Sequence, residues 1–480
     1  MLARATSAVI GVLTPLYLAR ALALEEYGTY KQLFLLCGPL FSVLPLGMVQ
    51  SLYFFVPRSV RGPRAVLLQT QLFTLGIGGV GAVLLWFGLP VAAARFENPA
   101  LLQFRGLLTL FVLFSLASGL LETSLTSQGR TRSSALAYMG YEVLKSLALV
   151  APVLLGFGLK GSVAVLAALT LARLGVVLAV VLRAKGDRPS WAGLRAQVAY
   201  ALPFGAAMLL DGPQQAAHQY AVALAVPTAL YAIYAAGCFQ VPLVNLLYAP
   251  TSEVLMVRVG QLDGQGLGGQ AVRLFREATR KLALVFIPAS AFLVISAPWV
   301  VRALFGEKFG GAVPIFRVSV LGIMLACMPL DGLLRARGMT RQIFHSYLAK
   351  AAVTLPLLAV LVPWLGMLGG ILSWLAAEVV GKAMLLWRLP RALAAGGPPP
   401  ALRDFLPVRD LGMLGGATAA CAAAALALAS WMGAASLALG GRGGAVLQVA
   451  FEGALFAGML FPVLRVIGLR PMALLASLVR

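Results

Sequence analysis

Apolar runs of about 20 residues, long enough to cross a bilayer as one helix, recur along almost the whole chain. The mean hydropathy is +0.91, and only 11% of the 480 residues are charged, which excludes an ordinary soluble domain. We therefore predict an all-α, multi-pass membrane protein, and we expect no cleavable signal peptide because Met1 runs almost directly into the first span. The fourteen predicted spans are 2–22, 32–56, 65–91, 103–127, 134–157, 161–183, 197–225, 231–256, 280–303, 313–334, 342–365, 368–388, 411–435 and 445–468.

The basic residues indicate how these spans are oriented. The chain carries 38 Lys and Arg against 16 Asp and Glu, a net charge of +22. With the N-terminus in the cytosol, 25 basic residues fall on the cytosolic side, seven on the opposite side and six within spans. Because positive residues collect in cytosolic loops, this bias predicts that both termini are cytosolic. Membrane lipids with anionic headgroups are the expected partners of this charge, and no nucleic acid partner is expected.

The second half of the chain repeats the first. The segments ETSLTSQGRTR at 122–132 and DGLLRARGMTR at 331–341 align without a gap, at a separation of 209 residues (331 − 122). The segment LEEYGTYKQLFLLCGPLF at 24–41 is similar to TALYAIYAAGCFQVPLV at 228–244. A duplicated six-helix unit explains both matches, and because six is even, the two copies enter the membrane from the same side.

The repeat predicts two six-helix bundles. The N-terminal lobe is expected at 1–190 with spans 1–6, and the C-terminal lobe at 191–390 with spans 7–12. Residues 391–480 then hold a Pro-rich linker and spans 13 and 14. Because span 13 is dominated by Ala and Gly, we expect this hairpin to pack against one lobe and not to form a cargo path.

Span 7 carries polar residues near its centre. Asp211, Gln214, Gln215 and His218 are spaced i, i+3, i+4, i+7, which places them on one helical face. An ionised carboxylate at the bilayer centre costs about 2.5–3.5 kcal/mol, so Asp211 is expected to face a helix bundle or water. Pro213 predicts a kink at the same depth. We interpret this face as part of a transport path; the alternative is a carboxylate that a neighbouring helix satisfies.

Three residues within spans are candidates for coupling transport to a proton or a sodium ion: Asp211, His218 and Glu122. His218 has three open roles, because it could attract a phosphate, relay protons with Asp211 or form a structural hydrogen bond. Glu122 draws attention because it lacks the basic residue at i+4 that its repeat counterpart Asp331 has.

Other charged residues in the spans are predicted to pair along one helix. Asp331 with Arg335, and Glu378 with Lys382, have the i, i+4 spacing of intrahelical ion pairs. We therefore expect these four side chains to have structural roles.

Uncharged polar residues in spans 2 and 8 could contact sugar hydroxyls. They are Gln50 and Tyr53 in span 2, and Gln240, Asn245, Tyr248 and Ser252 in span 8. The chain has four cysteines and two histidines, without the spacing of a metal or disulfide framework. We expect no metal site and no cofactor.

Several of these segments together resemble a known family. They are LYLARALALEEYGTYKQ at 16–32, LGMVQSLYFFVPR at 46–58 and the repeated Gly-x-Thr-Arg turns. With the twelve-plus-two arrangement of spans, they are similar to Wzx-type polysaccharide biosynthesis flippases of the multidrug/oligosaccharidyl-lipid/polysaccharide exporter (MOP) superfamily, over most of residues 1–390. The resemblance implies two six-helix bundles around a cavity lined mainly by spans 1, 2, 7 and 8, as in the multidrug (MATE) exporters of that superfamily.

The resemblance also implies a cargo and a cellular location. The cargo would be an oligosaccharide on a polyprenyl pyrophosphate, moved across the bacterial cytoplasmic membrane for surface polysaccharide assembly, with other polysaccharide assembly proteins as candidate partners. The pyrophosphate would meet Arg20, His218 or a cytosolic basic rim at Arg58 and Arg258. The glycan would lie against residues of spans 2, 7 and 8: Gln50, Gln214, Gln215 and Asn245.

Two other functions are weighed against this one. A cation-coupled exporter of drugs or lipids would use the same fold, with Asp211 as the ion site. A membrane glycan enzyme would need an external loop that holds donor and acceptor, and the predicted external loops are short. We therefore expect a transporter and not an enzyme.

Overall fold

The computed structural model consists of α-helices and short 3-10 helices throughout the residues that it describes. These are residues 2–59, 62–264, 267–394, 400–436 and 441–466. Within these ranges the description leaves out the side chains of residues 2–9, 203–204, 206–208, 210–211, 243, 245, 263–264, 268, 340, 392, 429–436 and 441–442. The helices pack into two compact units, which divide between Ala232 and Ile233.

Unit 1 is built around α8, against which α5 and α7 pack. Helix α1 packs on α7, α4 packs on α5, and α9 packs on α2 and α3. A 3-10 helix at Pro99–Phe104 leads into α5. The helices are α1 (Leu2–Ala21), α2 (Leu24–Val43), α3 (Met48–Phe55), α4 (Arg64–Arg95), α5 (Arg105–Ser118), α6 (Leu121–Ser127), α7 (Thr131–Leu154), α8 (Gly158–Arg183) and α9 (Trp191–Ala225), followed by α10 (Thr228–Gly237), which crosses the boundary of the units.

Unit 2 repeats this packing, with α16 and α14 against α17. Two 3-10 helices, Gly268–Gln270 and Glu307–Ala312, precede α12 and α14. The last long helices, α19 and α20, pack on each other, α19 on α12 and α20 on α13. The helices are α11 (Leu243–Gly264), α12 (Ala271–Ile295), α13 (Ala297–Phe305), α14 (Val313–Leu325), α15 (Leu330–Ala336), α16 (Thr340–Leu365), α17 (Met367–Leu393), α18 (Leu402–Phe405), α19 (Val408–Ser436) and α20 (Gly441–Val466).

The predicted match between residues 122–132 and 331–341 is confirmed by the helices themselves. Helix α15 begins and ends 209 residues after α6 (330 − 121 and 336 − 127), and α16 begins 209 residues after α7 (340 − 131). Helix α17 begins 209 residues after α8 (367 − 158). Each residue of α7 and α8 therefore has an ungapped counterpart in α16 and α17.

The turn that follows each short helix explains why the Gly-x-Thr-Arg sequence recurs. Gly129 and Gly338 have φ of 78° and 69°, a left-handed conformation that glycine adopts without steric cost. The amide of Arg130 donates to the carbonyl of Leu125 at 2.9 Å, and Met339 donates to Leu334 at 2.8 Å. These bonds close a Schellman motif, so each turn satisfies the last carbonyls of one helix and starts the next.

The short helices α6 and α15 are anchored in apolar cores. Leu121 and Leu125 of α6 pack in a cluster of unit 1 with Leu52, Val56, Leu67, Leu120, Val177 and Val181. Leu330 and Leu334 hold the same repeat positions in a cluster of unit 2 with Leu255, Val259, Ala271, Phe275, Leu333, Leu385, Leu389, Leu393, Phe405 and Leu406. The Pro-rich linker thus ends in a short helix, α18, that supplies Phe405 to the second core.

Eleven helical segments within the described residues are long and apolar enough to cross a membrane. The predicted spans at 2–22, 197–225 and 231–256 lie in α1, α9 and the pair α10–α11, which are not among these eleven. The chain is a multi-pass, all-helical membrane protein, whereas the count of fourteen spans and the cytosolic termini stay predictions. Helix α9 runs continuously from Trp191 to Ala225, and the kink at Pro213 stays a prediction.

The boundary of the compact units differs in position from the boundary that the repeat suggests. By its packing on α2 and α3, α9 belongs to unit 1, whereas the repeat assigns it to the C-terminal lobe. The lobes at 1–190 and 191–390, with 391–480 as an appended region, stay a prediction.

Candidate functional site

A cavity of about 640 Å³ lies within unit 1 and is lined by residues of α1 through α7. This volume falls within the range of about 300–1,000 Å³ that is typical of small-molecule sites. Most of these helices belong to segments that are apolar enough to cross the membrane.

One wall of the cavity, formed by α1 and α7, is polar. The hydroxyls of Thr14 and Ser146 are hydrogen-bonded to each other, and Thr14 also donates to the carbonyl of Ile10 at 3.0 Å. Lys145 directly precedes Ser146, and its ammonium lies 2.7 Å from Oε1 of Glu142. The side chains of Lys145 and Glu142 are 34% and 15% exposed, so this ion pair is partly open to the cavity that both residues line.

The other walls are largely aromatic. Phe34 lies 5.0 Å from Tyr30 and 6.1 Å from Phe111 between ring centroids, and Phe41 meets Phe111 edge-to-face at 5.7 Å. Tyr141 faces the cavity from α7. Phe34, Phe41 and Tyr141 are half-buried and can contact a ligand, whereas Tyr30 and Phe111 are buried.

Glu122 has the basic partner that the sequence did not reveal. Its Oε2 accepts a hydrogen bond of 2.6 Å from Nη2 of Arg173, and the two side chains are only 20% and 13% exposed. The Arg173 guanidinium also stacks on the ring of Tyr141 at 3.9 Å. The sequence gives Glu122 no basic residue at i+4, and its partner comes from α8 and not from its own helix.

Among the other residues predicted in unit 1 whose side chains the structure describes, Gln50 is the one that lines the cavity. Tyr53, one turn further along α3, is 53% exposed. Arg20 is half-buried in the last turn of α1. Arg58 is exposed, donates to the carbonyl of Phe54 at 2.9 Å and stacks on its ring.

The polar residues of span 7 lie in α9 as predicted, but they are not equally buried. Gln214 and His218, at i and i+4, are 7% and 5% exposed, whereas Gln215 is exposed. Asp211 belongs to the same helix, and its side chain lies outside the described residues. Gln214 and His218 therefore share a buried face, while Gln215 does not.

In unit 2, Tyr248 is already bonded within the protein. Its hydroxyl donates to Oδ1 of Asp331, which also accepts a bond of 3.1 Å from Ser252. Arg335 pairs with the other oxygen of Asp331, which confirms the predicted intrahelical pair. Arg258 is exposed, and the side chain of Asn245 lies outside the described residues.

The expected pair of Glu378 with Lys382 was wrong. Glu378 instead accepts a bond of 2.6 Å from Lys350 of the neighbouring helix α16. The Lys382 ammonium lies 5.2 Å from the ring centre of Tyr248. Helix α17 thus turns Glu378 towards α16, which spacing along one helix cannot indicate.

The polar wall of α1 and α7 was missed from the sequence. Glu142 and Lys145 have the i, i+3 spacing of an ion pair inside an otherwise apolar span, and this signal alone could have identified them. The approach of Thr14 to Ser146 joins residues 132 positions apart, so no local pattern reveals it.

A second cavity, a groove of about 310 Å³, lies within unit 2 between α12 and α20. Its lining is apolar throughout and includes Pro288, Phe292 and Phe456. Such a surface suits a hydrocarbon chain.

No cluster of three or more potential metal ligands occurs among the described residues. All four cysteines are free thiols.

The sequence profile of the family described as polysaccharide biosynthesis protein matches residues 17–314. No curated protein is similar enough in sequence to count as a relative.

Solved structures share the fold at low sequence identity. The lipid II flippase MurJ, in an inward closed conformation, has a TM-score of 0.75 and 12% identity, covering 97% of this chain and 98% of its own. A MOP superfamily transporter from Pyrococcus furiosus has a TM-score of 0.56 and 13% identity, covering 82% of this chain and 94% of its own. An outward-facing multidrug resistance MATE transporter has a TM-score of 0.55 and 14% identity, covering 82% of this chain and 93% of its own.

The coverage of the MurJ match includes the C-terminal hairpin. The 3% of the chain that it leaves out is too short to contain α19 and α20, which have 29 and 26 residues. The similarity in fold therefore extends into the two helices that have no counterpart in the internal repeat.

Proposed function

Because the chain belongs to the polysaccharide biosynthesis protein family, we propose that it moves a lipid-linked oligosaccharide across a membrane. The cargo is an oligosaccharide on a polyprenyl pyrophosphate, and the direction is from the cytosolic to the outer leaflet of the bacterial cytoplasmic membrane. The family and the MOP fold are those of a transporter and not of an enzyme.

The unit 1 cavity carries this proposal. A large space lined by both hydroxyl groups and aromatic rings, inside helices suited to a membrane, fits a cargo with a polar, sugar-like end. The fold match to a lipid II flippase, over 97% of the chain, supports the same class of cargo.

Each part of the cargo has a counterpart in the chain. The sugars enter the unit 1 cavity beside Gln50, and the pyrophosphate meets Arg20, His218 or the basic rim at Arg58 and Arg258. The polyprenyl tail stays in apolar surroundings, for which the groove between α12 and α20 is suited. We also propose that the chain has fourteen spans with both termini in the cytosol. The two lobes would open the cargo site to one side of the membrane at a time.

Asp211, His218 and Glu122 are the proposed coupling residues for a proton or a sodium ion. Glu122 is bonded to Arg173, so a coupling ion there would have to displace a guanidinium. We therefore rank Asp211 first and expect Asp211→Asn to abolish transport while expression stays intact. Normal flux in that variant would remove Asp211 from the mechanism.

The test is made in a strain that lacks the gene. Polyprenyl-linked oligosaccharides are extracted, their leaflet is determined by labelling intact spheroplasts, and surface polysaccharide is measured in parallel. We expect cytosolic accumulation of the lipid-linked glycan and loss of surface polymer, both restored by the intact gene. Unchanged glycan lipids in both leaflets would refute the proposal.

A cation-coupled exporter of small amphipathic compounds is the second candidate. It is favoured by the MATE fold match and by the aromatic walls of the cavity, which suit lipophilic cations. This function predicts tolerance of lipophilic cations and normal surface glycans, the opposite of the result expected above.

A further inference from the structure

We infer that the unit 1 cavity accepts uncharged sugar rings, and that Glu142 and Lys145 are the residues that exclude charged ones. The inference rests on the proposed function, because it takes the cargo to be a glycan. It adds which part of such a cargo the cavity holds, and which glycans it admits.

The charges that line the cavity cancel each other. Among the described lining residues, Glu142 and Lys145 are the charged ones, and their charged atoms are 2.7 Å apart. Outside the lining, Arg173 stacks on Tyr141 and is bonded to Glu122 at 2.6 Å, and the Lys31 ammonium lies 5.8 Å from the ring centre of Tyr30. A ligand therefore meets dipoles and no net charge. A carboxylate attracted by Lys145 is repelled by Glu142, and it loses its hydration on entering.

The remaining lining offers what an uncharged sugar requires. Gln50 and Thr123 line the cavity with groups that can both donate and accept hydrogen bonds. Phe34 and Phe41, which are half-buried lining residues, offer apolar ring surface that the C–H faces of a sugar can contact. A pyrophosphate needs unpaired cations, and the described residues of this lining offer none.

The internal repeat shows how the Glu142–Lys145 pair differs from the Glu122–Arg173 pair. Glu122 and Arg173 correspond, at a separation of 209 residues, to Asp331 and Lys382 (331 − 122 and 382 − 173), so each unit keeps a carboxylate and a cation there.

The cavity pair has no such counterpart. Glu142 and Lys145 correspond to Ala351 and Thr354 (351 − 142 and 354 − 145). Helix α16 forms with uncharged residues at these two positions, so a helix at this place in the repeat does not require an ion pair to form. The charges of Glu142 and Lys145 are therefore a property of the unit 1 cavity.

The test measures binding of free oligosaccharides to the purified full-length protein by saturation-transfer NMR. The probes are maltotriose, which is neutral, trigalacturonate, which carries carboxylates, and inorganic pyrophosphate. We expect the intact protein to bind maltotriose and to bind neither anionic probe at the same concentration.

Single substitutions should then change the charge preference. Glu142→Gln leaves Lys145 without its carboxylate, and we expect trigalacturonate affinity to rise about tenfold, the effect of one hydrogen bond to a charged group. Lys145→Gln leaves the cavity negative, so trigalacturonate should stay excluded. The double variant restores neutrality and should again prefer maltotriose.

Matched control variants test whether the sugar binding and its charge preference arise in the cavity. Glu307→Gln removes a carboxylate that pairs with Arg302 outside the cavity, and it should leave the preference unchanged. Gly11→Phe fills the cavity from α1, where a side chain meets open space, and should abolish maltotriose binding. Gly76→Phe adds the same ring at an exposed, open position of α4 and should not.

Three results would overturn the inference: maltotriose fails to bind the folded intact protein, trigalacturonate binds it equally well, or Glu142→Gln leaves the preference unchanged. A failure of the proposed function alone would give a different pair of results. Maltotriose would still bind selectively to the purified protein, but deletion of the gene would leave lipid-linked glycans in their normal leaflets.

Discussion

Nη2 of Arg173 lies 2.6 Å from Oε2 of Glu122, and this bond joins α8 to α6 across 51 positions of the sequence. The other carboxylate oxygen, Oε1 of Glu122, is buried without a hydrogen-bond partner among the described residues. The bond therefore holds the short helix α6, whose leucines lie in the unit 1 core, against α8. This relationship leads to the first prediction.

Arg173→Met should destabilise the protein, because it leaves the buried carboxylate of Glu122 unpaired. Removing one partner of a fully buried pair costs about 3–5 kcal/mol, and we expect the lower end because both side chains are slightly exposed. Adding Glu122→Gln should recover part of the loss. Thermal unfolding of the purified protein in detergent measures both effects. Arg302→Met, which breaks an exposed pair with Glu307, should cost only about 0–1 kcal/mol; equal losses would contradict the prediction.

The partner of Glu378 can be tested by double-mutant cycles. Because Glu378 is bonded to Lys350, the coupling between Lys350→Met and Glu378→Gln should reach about 0.5–3 kcal/mol, the range for residues in contact. The same cycle with Lys382→Met should give a smaller coupling. If the order is reversed, the pairing along one helix that the sequence suggested is correct.

Gly28 is a position where any side chain should be harmful. A Cβ at Gly28 would overlap the backbone carbonyl of Thr228, at the start of α10. Gly28→Ala should therefore lower stability by about 1–3 kcal/mol, the usual cost of overpacking. Gly38→Ala is the matched control, because it lies in the same helix with open space around it. Yield of folded protein and thermal unfolding are the measurements, and similar behaviour of the two variants would refute the packing argument.

Gln50→Leu should lower the flux of the lipid-linked glycan without lowering the unfolding temperature. Gln50 lines the cavity, and a lost hydrogen bond of about 0.5–1.5 kcal/mol corresponds to a decrease of about twofold to tenfold. Gln261→Leu makes the same change at an exposed position of α11 and should transport normally. The leaflet assay described above measures the flux. If Gln50→Leu also transports normally, the cavity does not contact the cargo through this residue.

The sequence by itself predicted the features that depend on local periodicity. Runs of about 20 apolar residues became helices, the match at 122–132 and 331–341 became α6 and α15 with the same turn, and Asp331 paired with Arg335. Each of these depends on the spacing of residues along one helix, which composition and pattern determine. The buried face of Gln214 and His218 belongs to the same class.

Contacts between helices were decided by the tertiary structure alone. Glu122 and Glu378 bind cations from neighbouring helices, Arg173 and Lys350, and not from their own. Tyr248 donates to Asp331 across 83 positions. The cavity exists only where α1 through α7 leave space between them. The sequence alone limits which side chains share a helical face, whereas the helix that meets this face depends on how all the helices pack together, which no local spacing records.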